Sequence, residues 1–276
     1  MQDLLACPVC GAGLARRAGA MRCGQGHSFD VARQGYVNLL ARDVPPGLGD
    51  SAEMVAARAA FLDAGHFDAL LGAVADATWE AAGDEPGAVV DVGAGTGHYL
   101  AASLDRMPAR AGLALDASRY AARRAARAHP RAGAAVCDVW RAIPVREGAA
   151  RVVIDVFAPR NGEEIARVLA PGGTLIVVTP TERHLTELRE PLAMLAVDGR
   201  KEERLTASLA PHLSGVERGE IEVGLTLDRR ALRQLVAMGP SARHTGPAEL
   251  AERVCALPGS MHATASVTLT RWRLAP

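Results

Sequence analysis

Lysine is nearly missing from this chain: of its 31 basic residues only Lys201 is a lysine, and 31 acidic residues cancel the total. A net charge of zero removes any global electrostatic pull toward nucleic acid, so attraction of that kind has to come from local patches. The arginine bias, set beside so many alanines and glycines, fits a GC-rich coding sequence as well as it fits phosphate contacts. Aromatic residues make up only 4%, few for a protein that grips single strands by stacking. No apolar run reaches the roughly 18 residues needed to span a bilayer, and the first residues lack a basic stretch leading into an apolar signal core. A soluble, cytoplasmic protein with no membrane partner is expected. Cysteine is scarce too, five in 276 residues, which excludes a disulfide framework and suits a reducing compartment.

Four thiol and imidazole positions near the N-terminus stand out for their spacing. Cys7, Cys10, Cys23 and His27 follow C-x2-C-x12-C-x3-H, two ligand pairs that can converge on one tetrahedral ion. Ordinary buried thiols have no reason to fall into paired knuckles followed by a histidine. All four positions are filled by protein, so the expected zinc is structural and the chemistry belongs elsewhere. Pro8, Gly11, Gly24 and Gly26 supply tight turns around the ion. Cys137 and Cys255 lie outside the cluster.

Beyond the finger, Phe29 to Leu40 reads as its continuation, and Asp43-Val44-Pro45-Pro46-Gly47 as a breaker. Ser51 to Phe67 has helical spacing with Ser51 as N-cap, and a second helix covers Asp68 to Ala82. Ala88 to Val92 is a short apolar run typical of a buried parallel strand. Strand candidates follow at Gly112 to Leu115, Ala134 to Cys137, Arg151 to Phe157 and Thr174 to Val178, with helical segments between them. That alternation predicts an α/β protein with a doubly wound parallel sheet. A polar, helix-rich insert near Arg183 to Leu213, a strand near Ile221 to Leu225, further helix and a last strand at Thr264 to Trp272 complete the pattern.

The first strand of that sheet runs into Asp91-Val92-Gly93-Ala94-Gly95-Thr96-Gly97. A dinucleotide loop would be G-x-G-x-x-G, with a helix N-terminus facing a pyrophosphate. The spacing here is G-x-G-x-G with an aspartate two residues earlier, which resembles the S-adenosylmethionine (SAM) loop of class I methyltransferases. Asp116 closes the second strand, where a carboxylate can accept hydrogen bonds from both ribose hydroxyls. Asp138 follows the third, placed for an adenine amino group, with Val139 and Trp140 against the ring. Each acid alone would more often cap a helix or sit in solvent. Three at successive carboxyl ends of strands match the place where open α/β sheets bind ligands.

The ordered segments CPVC, CGQGHSFDVARQGYVNLL, GDSAEMVAARAAFLDAGHF, DVGAGTG, LDASRYA, DVFAPRN, LAPGGTLIVVTP and AMGPSAR together resemble the RlmA family of 23S rRNA guanine-N1 methyltransferases over nearly the whole chain. The wording of DVFAPRN and AMGPSAR is similar to the branch associated with resistance to tylosin-like macrolides. The resemblance implies a class I SAM-dependent methyltransferase fold, Rossmann-like and doubly wound, with a small N-terminal zinc-binding module. It divides the chain into a zinc module at 1–40, a helical linker at 41–82 and a methyltransferase domain at 83–276. It also implies SAM contacts at Phe67, Gly95, Thr96 and His184, a homodimer, and a 23S rRNA hairpin held in a cleft shared by two chains. In isolation Phe67 would read as core and His184 as a surface or packed residue.

Methyl transfer needs an aligned nucleophile, and guanine N1 must also lose a proton. Asp155, at the fourth strand, is a candidate acceptor on position, though an ordinary strand-end carboxylate reads the same. Phe157 occupies the place for stacking on a splayed-out base, and Arg160 could meet a phosphate or the guanine edge. Arg16, Arg17 and Arg22 on the finger, and Arg119, Arg123 and Arg127 along one helix face, are the basic candidates for RNA. Methylation of a small heterocycle with the same pocket is the competing enzymatic reading, and a non-catalytic binding module is a third.

Overall fold

The computed structural model describes residues 4–40 and 49–274; the breaker segment read at 43–47 lies outside them. The finger contributes a three-stranded antiparallel sheet of β1 (Ala15–Arg17), β2 (Ala20–Arg22) and β3 (Ser28–Asp30). Next come β4 (Tyr36–Asn38) and two helices, α1 (Ala52–Asp63) and α2 (Asp68–Ala82). The Ser51 hydroxyl caps α1 by accepting the Met54 amide at 3.2 Å, the local chemistry expected of a serine ahead of an apolar helical pattern.

Alternation follows: β5 (Ala88–Val92), α3 (His98–Arg106), β6 (Gly112–Asp116), α4 (Arg119–Ala125), β7 (Ala132–Val136), β8 (Ala150–Val156), α5 (Gly162–Val168) and β9 (Leu169–Pro180). Beyond β9 lie α6 (Thr186–Arg189), α7 (Lys201–Leu209), β10 (Leu213–Asp228), α8 (Arg229–Ala237), α9 (Pro247–Ala256) and β11 (Ser260–Leu274). Ser118, Asn161 and Asp228 cap α4, α5 and α8 in the same way as Ser51.

The large sheet has the order β10-β11-β9-β8-β5-β6-β7-β4. From β9 to β4 all pairings are parallel, and β11 runs antiparallel to both of its neighbours. From β5 the chain steps to β6 and β7 on one side and later to β8 and β9 on the other. The switch point therefore lies between β5 and β8, where such sheets open a crevice for ligands. The seven strands other than β4 have the order and the single antiparallel strand of a class I methyltransferase.

Successive residues of β5 bury into opposite layers, Val89 into one and Val90 into the other, which is why the run is continuously apolar. One layer is built by α2, α3 and α8. The other contains Ile165 and Val168 of α5, Leu205 and Leu209 of α7, and also Leu5, Leu14 and Met21 of the finger. The finger is thus packed on the sheet, tied by the Ala6 amide to the Pro144 carbonyl at 3.0 Å and the Arg146 amide to the Leu4 carbonyl at 2.8 Å.

Two readings of the sequence differ from this architecture. Residues 36–38 stay bridged to the finger, Val31 opposite Val37, and in addition join the large sheet: Tyr36 lies opposite Ala134 and Asn38 opposite Val136, so β4 is also its parallel edge. Three residues carry no alternation that could announce such a partner. The strand expected near Ile221 to Leu225 is far longer, because β10 pairs with β11 from Leu213 to Asp228. As an edge strand with charged, mostly exposed side chains, it is held by its backbone ladder, to which hydrophobic pattern is blind.

Candidate functional site

The finger brings its four candidate ligands together. Cys10 Sγ lies 3.8 Å from Cys23 Sγ, His27 Nδ1 lies 3.4 Å from Cys23 Sγ and 3.6 Å from Cys7 Sγ, and all four ligand atoms fall within 4.8 Å of one another. A zinc tetrahedron with Zn–S bonds near 2.3 Å has S···S edges of about 3.8 Å, so the donor set fits the ion in both number and size. The turns that close it are short: the Gly11 amide bonds the Cys7 carbonyl at 2.8 Å and the Gly26 amide the Cys23 carbonyl at 3.2 Å.

The second cluster sits at the carboxyl ends of β5, β6 and β7. Asp116 accepts the Gly95 amide at 2.8 Å on one oxygen and the Ser118 amide at 2.7 Å on the other. Burial raises its pKa, while those two amides pull it back toward the carboxylate. Each oxygen keeps a second lone pair, enough for two hydroxyl donors. Asp138 accepts the Trp140 amide at 3.1 Å and has Arg141 at 3.6 Å. Val139 beside it is buried and Trp140 is exposed.

Asp91 is wholly enclosed at the end of β5, and its Oδ2 has no hydrogen-bond partner among the described residues. Burial, and after it the charges of Asp155 and Asp116, pushes its pKa up to about 8. Such an orphaned, enclosed acid is suited to a cationic ligand that restores its charge. Gly97, with φ +83°, brings the start of α3 so close to α4 that a Cβ there would lie 2.9 Å from Ala125 Cα. Thr96 is buried, its hydroxyl 2.8 Å from His98 Nδ1, and His98 Nε2 is 3.0 Å from Asp63 of α1.

Arg58 of α1 was not legible as a site residue. It pairs with Asp50 at 2.5 Å, donates to the Met238 carbonyl at 2.8 Å, and lies so near the glycine turn that a Cβ on Gly95 would come 3.2 Å from its Nη1. Two segments far apart in sequence, GDSAEMVAARAAFLD and AMGPSAR, therefore meet over the turn. Phe67 is placed in the core, its ring edge-on to Phe61 at 5.1 Å.

The third cluster is at the ends of β8 and β9. Asp155 is 0% exposed and bonds Arg160 at 3.0 Å; Arg160, whose side chain is 11% exposed, also donates to the Ala158 carbonyl at 2.8 Å. Phe157 has φ +56°, an unfavourable left-handed conformation for an aromatic residue, with a cost of about 1–3 kcal/mol. The chain turns there so that the ring is presented outward, 39% exposed. Its centroid lies 5.7 Å from that of His184. His184 Nδ1 faces the Ser266 carbonyl at 3.1 Å and must donate to it, which puts the lone pair of a neutral ring on Nε2. Gly93, with φ +71°, joins this cluster to the cofactor turn, since a Cβ on it would lie 2.3 Å from Ala158 Cβ.

A sequence-family model described as the N-terminal zinc ribbon of RlmA matches residues 5–42. A curated relative from Streptomyces fradiae, a 23S rRNA (guanine(748)-N(1))-methyltransferase, is 52% identical over 274 residues, 99% of this chain and 97% of the relative. A protein of Micromonospora griseorubida, provisionally assigned 23S rRNA guanine-N1 methylation, is 50% identical over 286 residues, 98% of this chain and 97% of the relative. One from Bacillus subtilis (strain 168), with the same provisional assignment, is 33% identical over 255 residues, covering 87% of each chain.

Proposed function

We propose, since this chain belongs to the RlmA family of 23S rRNA guanine-N1 methyltransferases, that it transfers a methyl group from SAM to N1 of a guanine in 23S rRNA. The observation that carries this is full-length similarity, 52% identity across finger and sheet together. The small-heterocycle reading loses its ground here, because the relatives matched over most of their length carry the rRNA activity in their names.

SAM would supply the methyl from its sulfonium sulfur, the carbon–sulfur bond breaking as the bond to N1 forms and the N1 proton passing to solvent, while the chain's own residues bind the cofactor and position the acceptor. Asp116 is assigned to the ribose hydroxyls and Asp138 with Val139 to the adenine. Gly93, Gly95, Thr96 and Gly97 shape the turn under the methionine end, beside the enclosed acid of Asp91 and the wall to which Phe67 contributes. Phe157 stacks on the extruded guanine, the usual device for a base removed from its neighbours. Arg160 reads the guanine edge or an adjoining phosphate. Asp155 acts through Arg160, holding its guanidinium, and is a positioning residue, not the proton acceptor considered from sequence. His184, its Nδ1 at the Ser266 carbonyl and its ring beside Phe157, is assigned to the wall of the cofactor and acceptor site. Cys7, Cys10, Cys23 and His27 hold zinc, which closes the finger and takes no part in transfer.

The acceptor is assigned to a hairpin loop, where an unstacked guanine can be reached. The homodimer and the macrolide-resistance role implied by the family are part of the same proposal, as is action in the cytoplasm, where ribosomes are; among the described residues no helix is long and apolar enough to cross a membrane. The direct test is transfer of labelled methyl from SAM to unmodified 23S rRNA fragments, followed by mapping of reverse-transcription stops. N1-methylguanine blocks Watson–Crick pairing, so a new stop locates the product. Label appearing only on small heterocycles would overturn the assignment.

A further inference from the structure

Between α1 and α4 lies a cavity of about 770 Å³ that none of the acids of the cofactor cluster lines. Its floor is the start of α3, with Thr96 and His98. One wall is apolar, from Val55 and Ala59 of α1, and the other carries Tyr120, Arg123, Arg124 and Arg127. Its size is within the range of about 300–1,000 Å³ that encloses small ligands. Thr96 directly follows Gly95, whose amide holds Asp116, so the cavity backs onto the cofactor turn.

The charge on its arginine wall is concentrated, with three arginines within five residues at the end of α4 and the turn after it. With no net charge, attraction for RNA must come from arginines whose charge is not already matched, and many are matched. Arg58, Arg106, Arg160, Arg167 and Arg253 pair with carboxylates, and Arg110, Arg131 and Arg229 are tied to backbone carbonyls. Arg123, Arg124 and Arg127 are exposed and, among the described residues, have no carboxylate within ion-pair distance. The acid in the cavity, Asp63, faces His98. Tyr120 is 37% exposed, with the Arg119 guanidinium stacked 4.9 Å from its ring centroid and bonded to its hydroxyl at 2.9 Å, so the ring is held in place as a platform.

We propose that this groove seats the RNA strand flanking the target nucleotide, with Arg123, Arg124 and Arg127 on its phosphates, Tyr120 against a base or ribose, and the apolar wall of α1 against the sugars. Positive charge, one fixed aromatic and an apolar wall are together the chemistry of a single-stranded polyanion with stacking faces. The inference rests on the rRNA reading, which names the acceptor but not where the rest of the strand runs.

The test is a full-length R123Q/R124Q/R127Q variant, measured with a 23S rRNA hairpin fragment as the probe. SAM affinity by calorimetry should match that of the wild type and kcat should be retained. KM for RNA should rise about tenfold or more, and the slope of log affinity against log salt should lose roughly 2, at about 0.7 for each single-strand phosphate contact removed. A matched variant on α8, R230Q/R233Q, removes charge away from the groove and should change neither quantity. The proposal is overturned if the triple variant keeps wild-type RNA affinity and salt slope, or if the α8 variant weakens RNA equally. A triple variant with normal RNA affinity but a changed sedimentation state would mark the groove as a contact between copies, overturning it too. Failure of the wild type to methylate any rRNA fragment would instead be the failure of the rRNA reading itself.

Discussion

Asp91 is the residue whose environment makes the clearest statement about pH. Its pKa moves from an ordinary 3.8 to about 8 because it is enclosed and near Asp155 and Asp116. Between those values the folded protein holds a proton that the unfolded chain has given up, so stability falls as pH rises through the window and levels off above it. Replacing Asp91 with Asn removes that loss. Scanning calorimetry of the SAM-free protein should show D91N melting near the wild type at pH 4.5. At pH 8.5 it should melt higher by several kcal/mol, about 1.4 kcal/mol for each of the roughly three to four pH units between the two measurements, which is on the order of 10 °C for a chain of this size. A gap of equal size at both pH values would mean the carboxyl does not titrate in that range. Asp116 makes a different statement, since both of its oxygens hold backbone amides. Asp116→Ala should weaken SAM binding by roughly 1.5–3 kcal/mol, read by calorimetry, and an unchanged affinity would remove the residue from the cofactor site. The position of both acids was legible in sequence because strand ends and glycine turns fix where a side chain emerges. Their partners were not, because an amide reaching back from Gly95 or a guanidinium arriving from Arg58 depends on packing between elements.

The turn from β8 into α5 shows how elements share a site. Ala158 presses on Gly93, and Asp155 anchors Arg160 beneath the exposed Phe157. Arg160→Leu takes the guanidinium away from the enclosed Asp155 and should be destabilising in urea unfolding, by up to about 3–5 kcal/mol. The double variant Asp155→Leu/Arg160→Leu should recover much of that stability, because a buried pair is often replaceable by apolar side chains, yet still fail to methylate RNA. Full activity in the folded double variant would strip Arg160 of a role in recognition. The central strands were legible because both faces of each are buried and the runs are unbroken. The ends of β9, β10 and β11 were not, since a ladder of backbone bonds continues past the last apolar residue. The local signal for α1 was good at both ends, Ser51 capping its start and Gly65, with φ +80°, following the C-cap Ala64, so that the helix stops at Asp63 and short of the Phe67 expected from apolar spacing.

At the scale of the molecule, finger and sheet share a hydrophobic layer. Cys7 and Cys23 themselves are buried in the cluster that contains Val90, Leu113 and Ile165. The ligand spacing was readable from sequence, but this union was not: nothing in C-x2-C-x12-C-x3-H says what the far side of the finger rests on. Stripping zinc with a chelator should therefore lower the melting temperature of the whole chain in one transition, and Cys7→Ser/Cys10→Ser should do the same with loss of bound metal by elemental analysis. A separate low-temperature step, with the sheet melting unchanged, would show that the finger unfolds by itself. Deleting residues 1–33 should for the same reason impair SAM binding as well as RNA methylation, because the deletion uncovers one face of the sheet. The pairing of β4 with β7 carries this union into protein synthesis. The finger leaves the ribosome early and can take up its metal from the first 27 residues, but Tyr36 must wait for Ala134 before the strand bridged to the finger can join the large sheet. During that interval the first apolar surface of the nascent chain has only the finger's small sheet and its metal site to hold it in order, so translation in zinc-depleted cells should lower the yield of folded protein.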